Sequence, residues 1–231
     1  MSFIAANIEQ IENVFGLAVL VVCTVMVFAK RKWTSPDIRL FARGFIGVAL
    51  LGDSYYTIFT LVFGHNPQYF YAAELAWLAE ELFLLLLVIE FYSKEGLLPI
   101  HPAAWIGPAA VVALTVWFIV ATESVLFNVL MASAMAGIAL FSLTGLFRSK
   151  GDRAHGIVRH VGLYLATTGF VASEYAMWSI SIVNHSTTIA NPYYLIQPLM
   201  YVAVLCITIA VMHIGKMREG ESVEPRDGGD A

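Results

Sequence analysis

Asp53, Tyr56, Thr57 and Thr60 recur at helical spacing within the apolar run LLGDSYYTIFTLV, which puts a carboxyl, a phenol and two hydroxyls on one helix face. A second run, Tyr71 to Tyr92, carries Glu74, Trp77 and Glu81 on one face, with Glu80 one position round. Glu174, Tyr175, Trp178 and Ser181 form a third such group, and Tyr194, Gln197 and Tyr201, followed by Pro198 as a kink, form a fourth. An acid at the centre of an apolar span costs about 2.5–3.5 kcal/mol on insertion scales, so Asp53, Glu81 and Glu174 are expected to point together into a protein interior. No Lys or Arg lies at their depth, which leaves a proton or a bound cation to neutralise them. The substrate-binding set expected from these faces is Asp53, Tyr56, Trp77, Glu81, Glu174, Trp178, Tyr194, Gln197 and Tyr201.

Weaker candidates have simpler readings. Glu90 precedes Lys94 by one turn and reads as an interfacial ion pair, and Glu74 reads as a headgroup-level acid. The competing account of the central acids is a carboxyl bonded to a neighbouring Tyr or Ser, serving helix packing. Among the histidines only His160 with His213 offers a haem or zinc pair, and the rest read as interfacial. Cys23 and Cys206 each fall inside a helix, so neither a disulfide nor a CxxC metal site is expected. No cofactor or metal is assigned.

The elements that must carry these residues are transmembrane. The chain has 231 residues, of which 59% are hydrophobic and 13% charged, a composition far from that of a soluble domain. Seven apolar stretches of spanning length run from Val14 to Ala29, Gly44 to Phe63, Tyr71 to Tyr92, Pro102 to Thr122, Val125 to Phe147, Val161 to Val183 and Tyr193 to Ile214. They lack the period-two alternation of barrel strands. All 13 Lys and Arg fall in loops or tails on one side, which sets the amino terminus outside and the carboxyl terminus inside. The absence of Lys and Arg from the first 13 residues argues against a cleaved signal peptide. The expected architecture is therefore an all-α, polytopic seven-transmembrane-helix bundle over residues 1–218, with a disordered cytoplasmic tail over 219–231.

An internal repeat is legible. HNPQYF follows the second span and ANPYYL the sixth, so Asn66-Pro67 corresponds to Asn191-Pro192. The separation from Arg39 to Asp53 equals that from His160 to Glu174. Two parallel three-helix units, about 14–92 and 125–214, joined by a linker helix over about 102–122, account for this order. Asn-Pro is also ordinary turn chemistry at a helix start.

Residues LLGDSYY, VASEYAM and YYLIQ resemble the Gly-Asp, Ser-Asp and Tyr-Tyr-x-x-Gln segments of the lysoplasmalogenase-like membrane protein family, with Glu174 where that family has Asp and seven spans instead of eight. The resemblance implies Asp53 and Glu174 as catalytic acids hydrolysing a vinyl-ether lipid, with Tyr193, Tyr194 and Gln197 lining the site. The three-plus-one-plus-three layout is similar in architecture to the sugar-transporting and PQ-loop families. An opsin-like reading fails, since the last span has no lysine before Lys216.

Three functions are therefore expected to compete: a small-solute transporter with an acidic, proton-coupled intramembrane site, a lysoplasmalogenase-like lipid hydrolase, and a seven-helix ligand-sensing or partner-binding protein. The expected partners are the lipid bilayer, a small-molecule or lipid ligand and a second copy or membrane protein, without nucleic acid. The expected location is the plasma (inner) membrane.

Overall fold

The computed structural model describes residues 7–31, 33, 35–65, 72–94, 99–122, 125–151, 160–184 and 190–221. The Asn66-Pro67 half of the repeated motif and the tail from residue 222 lie outside them. Seven helices occupy nearly all of these residues, and there is no strand among them. They are α1 (Ile8–Ala29), α2 (Pro36–Phe63), α3 (Ala72–Lys94), α4 (Ile106–Thr122, entered through a 3-10 turn at Pro102–Trp105), α5 (Val125–Gly151), α6 (Val161–Val183) and α7 (Tyr193–Glu221).

Local chemistry sets several helix ends. The Ser35 hydroxyl accepts from the Asp37 backbone N–H at 3.3 Å, and Pro36 opens α2 where no N–H is needed. His101 Nδ1 accepts from Ala103 N–H at 3.2 Å beside Pro102, and Asn191 Oδ1 from Tyr193 N–H at 3.1 Å beside Pro192. Asn191 also donates to the Asn184 carbonyl at 3.3 Å, tying the start of α7 to the end of α6. At the far end of α2, Gly64 adopts φ 70° and returns its N–H to Thr60, a left-handed cap that side-chain-bearing residues rarely form.

Four helices extend well beyond their apolar windows, whereas α6 and α4 with its leading turn match the expected bounds. α1 begins at Ile8 and not Val14, α2 at Pro36 and not Gly44, and α5 and α7 continue past Phe147 and Ile214. Apolar windows mark the stretch in hydrocarbon, whereas a helix continues until a cap stops it.

Six helices form a closed ring in the order α1, α2, α3, α5, α6, α7, and α4 packs outside it against α5 and α6. Buried residues from around the ring make one core, including Leu20, Phe45, Leu84, Phe91, Tyr164 and Ile207. Hydroxyl pairs join helices where apolar packing alone gives no direction: Ser142 with Thr167 at 2.6 Å between α5 and α6, and Thr115 with Tyr175 at 3.1 Å between α4 and α6. Tyr175 is thus turned toward α4, where its ring also stacks on Phe118 at 5.6 Å.

The outer surface is apolar. Val62, Ile106, Val120, Leu165 and Leu195 are 63% to 76% exposed, an arrangement that water would penalise and lipid favours. Five helices are long and apolar enough to cross a membrane: α1, α2, α4 with its leading turn, α5 and α7. The molecule is a helical membrane protein by this measure.

Cations mark one end of the bundle. Lys30 donates to the Met212 carbonyl at 2.9 Å, Arg43 to Phe28 at 3.3 Å and Arg148 to Pro99, so the end of α1 meets the start of α2 and the distal part of α7. Glu90 and Lys94 pair at 2.6 Å near the end of α3, as their spacing predicts. His160, at the start of α6, lies edge-on to Phe91, at 5.3 Å, on the same side.

Candidate functional site

A cavity of about 470 Å³ opens into the opposite half of the ring, between α1, α2, α3, α6 and α7. This is within the ~300–1,000 Å³ typical of small-molecule sites. It reaches from the helix ends at Glu9, Asn184 and Asn191 down to Leu20, Ala49 and Val204. All nine residues of the expected binding set line it: Asp53 and Tyr56 from α2, Trp77 and Glu81 from α3, Glu174 and Trp178 from α6, and Tyr194, Gln197 and Tyr201 from α7.

Asp53 is the centre of a junction between four helices. It stands ten residues before Phe63, roughly 15 Å from the end of α2 at 1.5 Å per residue, close to the middle of that helix. The Trp77 indole N–H donates to Asp53 Oδ1 at 2.9 Å and the Tyr201 hydroxyl to Oδ2 at 2.6 Å. Both approaches depend on glycine. A Cβ at Gly52 would lie 3.0 Å from the Trp77 ring, and one at Gly16 only 2.2 Å from Cζ of Tyr201. Thus Gly52 lets α3 bring its indole against α2, and Gly16 on α1 is the seat of the α7 phenol. The Gly-Asp pair of the sequence is one unit for this reason: the glycine makes room for the donor that the aspartate accepts.

Glu174 is held differently. Trp178, one turn along the same helix, donates to its Oε1 at 2.8 Å. Glu80 and Glu81 are 8% and 2% exposed, and Glu81 Oε2 has no hydrogen-bond partner among the described residues. Asp53, Glu80 and Glu174 are close enough to one another to interact electrostatically, and Glu81 to Glu80 and Glu174. With Glu9 they make five acids on a lining that, among the described residues, contains no Lys, Arg or His. Among the described residues no three His, Cys, Asp or Glu side chains converge as a metal ion would require, so the acids are spread around the wall.

Other candidates fall elsewhere. Thr57 lines the cavity, but Thr60 is not in its lining and returns its hydroxyl to the Thr57 carbonyl at 3.0 Å. Glu74 is also outside the lining, and His160 and His213 belong to the cation-bearing end. Cys23 and Cys206 are free thiols, one buried and one exposed.

Sequence reasoning missed the contribution of α1. Glu9, Asn13 and Gly16 follow each other by four and three residues, a helical face that would have been found had the first helix been started at Ile8. It also left Glu80 aside as lying round the helix from Glu81, yet the cavity is wide enough for α3 to present both.

Fold and site together define the class: a helical membrane protein with an acidic, aromatic cavity deep in its bundle. No protein-family model, curated protein or solved structure matches the chain.

Proposed function

We propose that this protein is a seven-helix membrane transporter for a small cationic solute, with its amino terminus outside the membrane, its carboxyl terminus inside, and the acidic cavity opening to the outer face. The observation that carries the reading is a cavity whose described lining holds five acids and, among the described residues, no basic side chain to satisfy them. Protons or a cationic guest supply the missing countercharge, and exchange between the two couples proton movement to solute movement.

Three features support the membrane arrangement. α3 and α6 are 23 residues each, comparable to their neighbours, and their acids Glu80, Glu81 and Glu174 line the cavity, which lowers average apolarity without presenting these charges to lipid. The cavity and the cations occupy opposite ends of the bundle, so the rule that basic residues stay inside directs the opening outward. A half-turn that exchanges α1, α2 and α3 with α5, α6 and α7 maps the ring of contacts onto itself, as a parallel repeat requires. In that scheme the Asp53–Tyr201 bond links the two units across the cavity, about one turn above its base at Ala49 and Val204.

The test is uptake by proteoliposomes across a small cationic library, with and without an inward proton gradient. Gradient-dependent uptake that Asp53→Asn abolishes supports the reading. Absence of flux for every cation in both gradients rejects it.

One observation favours lipid hydrolysis as a second reading. Asp53 and Glu174 stand on different helices of one cavity, each fixed by an indole N–H, as a general acid and base would be. Release of aldehyde from a lysoplasmalogen by the purified protein in detergent, lost in both Asp53→Asn and Glu174→Gln, would establish it in place of transport.

A further inference from the structure

The central acids of the cavity differ in what they still lack. Asp53 already receives a donor on each oxygen, and Glu174 receives one on Oε1. Glu81 is 2% exposed with Oε2 unpartnered. Across the ring, Asn13 of α1 is 7% exposed, lines the same cavity, and has an amide nitrogen, Nδ2, without an acceptor. A buried polar atom without a partner has lost its water and gained nothing in exchange, so a guest gains by supplying both complements. Glu81 asks for a donor and Asn13 for an acceptor.

The cavity they share also has aromatic walls. Tyr56 and Trp77 lie with ring centroids 5.8 Å apart, and Trp77 and Trp178 are pinned through their N–H groups to Asp53 and Glu174. Such rings favour a cation near their faces and an apolar body between them. Because their N–H groups are engaged, the indoles are left to offer surface and not donors.

We infer that the cavity takes a protonated amine that keeps at least one N–H and also carries an oxygen acceptor, with the ammonium on Glu81 and the oxygen on Asn13. This rests on the transporter reading for its biological sense, but the binding itself needs no gradient. A quaternary ammonium brings charge without an N–H and leaves Glu81 unsatisfied. A neutral alcohol brings the oxygen without the charge that the acids demand.

Four probes of one shape separate these requirements: 4-methoxyphenethylamine, phenethylamine, the N,N,N-trimethyl derivative of the first, and 2-(4-methoxyphenyl)ethanol. Affinities are measured by calorimetry on the full-length protein in detergent at neutral pH, for the wild type, Glu81→Gln and Asn13→Leu. The methoxy amine is expected to bind most tightly, with each of the other three weaker by about tenfold, the equivalent of one buried hydrogen bond. Asn13→Leu should erase the advantage of the methoxy amine over phenethylamine, and Glu81→Gln should shrink the advantage of the amine over its trimethyl derivative.

The inference is overturned if the trimethyl compound or the alcohol binds as well as the amine, if none of the four binds, or if the variants fold and leave the ranking intact. Should a variant fail to fold, the ranking on the wild type still decides. Uptake of the same amine into proteoliposomes is scored separately. Binding without flux would reject transport and leave the amine site standing, whereas flux of other cations without amine binding would do the reverse.

Discussion

At the scale of single residues, the approach of Tyr201 to Gly16 is the tightest constraint on the cavity. Gly16→Ala puts a methyl group where the phenol ring now lies, 2.2 Å from Cζ, so Tyr201 must withdraw from Asp53. Overpacking of this kind costs about 1–3 kcal/mol. Gly47, on α2, faces open space, with nothing within 4 Å of where a Cβ would stand, and Gly47→Ala should be neutral or stabilising by up to about 1 kcal/mol through helix propensity. Thermal denaturation in detergent compares the two. Tyr201→Phe removes the 2.6 Å bond to Asp53 directly, and combined with Gly16→Ala it should cost less than the separate losses added, because both act on one contact. Simple additivity would mean that Gly16 does not act through the phenol. The cavity residues of α2, α6 and α7 were legible because polar side chains at helical spacing in an apolar span have few other places to go. Tyr175 shared the face of Glu174 in the sequence, but a hydroxyl on α4 was within reach, and no periodicity announces a partner on another helix.

Asn191 shows how a helix end shapes the site at the scale of elements. Its amide does two things, accepting from Tyr193 N–H to start α7 and donating to the Asn184 carbonyl to hold the end of α6. Asn191→Ala loses both, and the loss of a cap alone is worth about 0.5–2 kcal/mol. Asn191→Asp keeps the cap acceptor and loses the donor. Hydrogen exchange at the first turn of α7 should therefore quicken strongly in Asn191→Ala and much less in Asn191→Asp. Equal exchange in both would assign the stability to the tether and not to the cap. The motif that reads in sequence as half of a repeat is thus also a working joint, and the physical demands of starting a helix explain why such motifs recur. The seven elements were all legible, since each has an apolar middle. The starts of α1 and α2 and the ends of α5 and α7 were not, because caps and amphipathic turns carry no apolar signal, and this is what concealed the contribution of α1 to the cavity. The position of α4 outside the ring was likewise hidden: a linker helix and a ring helix have the same composition when both face lipid.

The arrangement of the whole molecule makes the direction of access testable. Acids line a cavity at one end, cations cluster at the other, and the Asp53 junction lies between them. In a background with Cys206→Ala and the buried Cys23 retained, single cysteines at Ser181, near the open end, and at Ala49, near the base, report which face reaches each depth. Applied to sealed vesicles of known orientation, a membrane-impermeant maleimide should label Ser181→Cys from the outer face. Ala49→Cys lies beyond the Asp53–Tyr201 bond, so for a transporter it should become reactive from the inner face in the fraction of molecules that have opened that way, and a bound amine should change the fraction. Tyr201→Phe, lacking the bond, should increase inner-face labelling of Ala49→Cys while leaving Ser181→Cys labelled from outside. A hydrolase fed from one face has no such requirement, and there Ala49→Cys should stay unreactive from inside whatever is bound. The experiment therefore asks whether the Asp53 junction is a hinge or a fixed floor, and the same four-helix contact that makes the cavity decides between moving a solute and cleaving one.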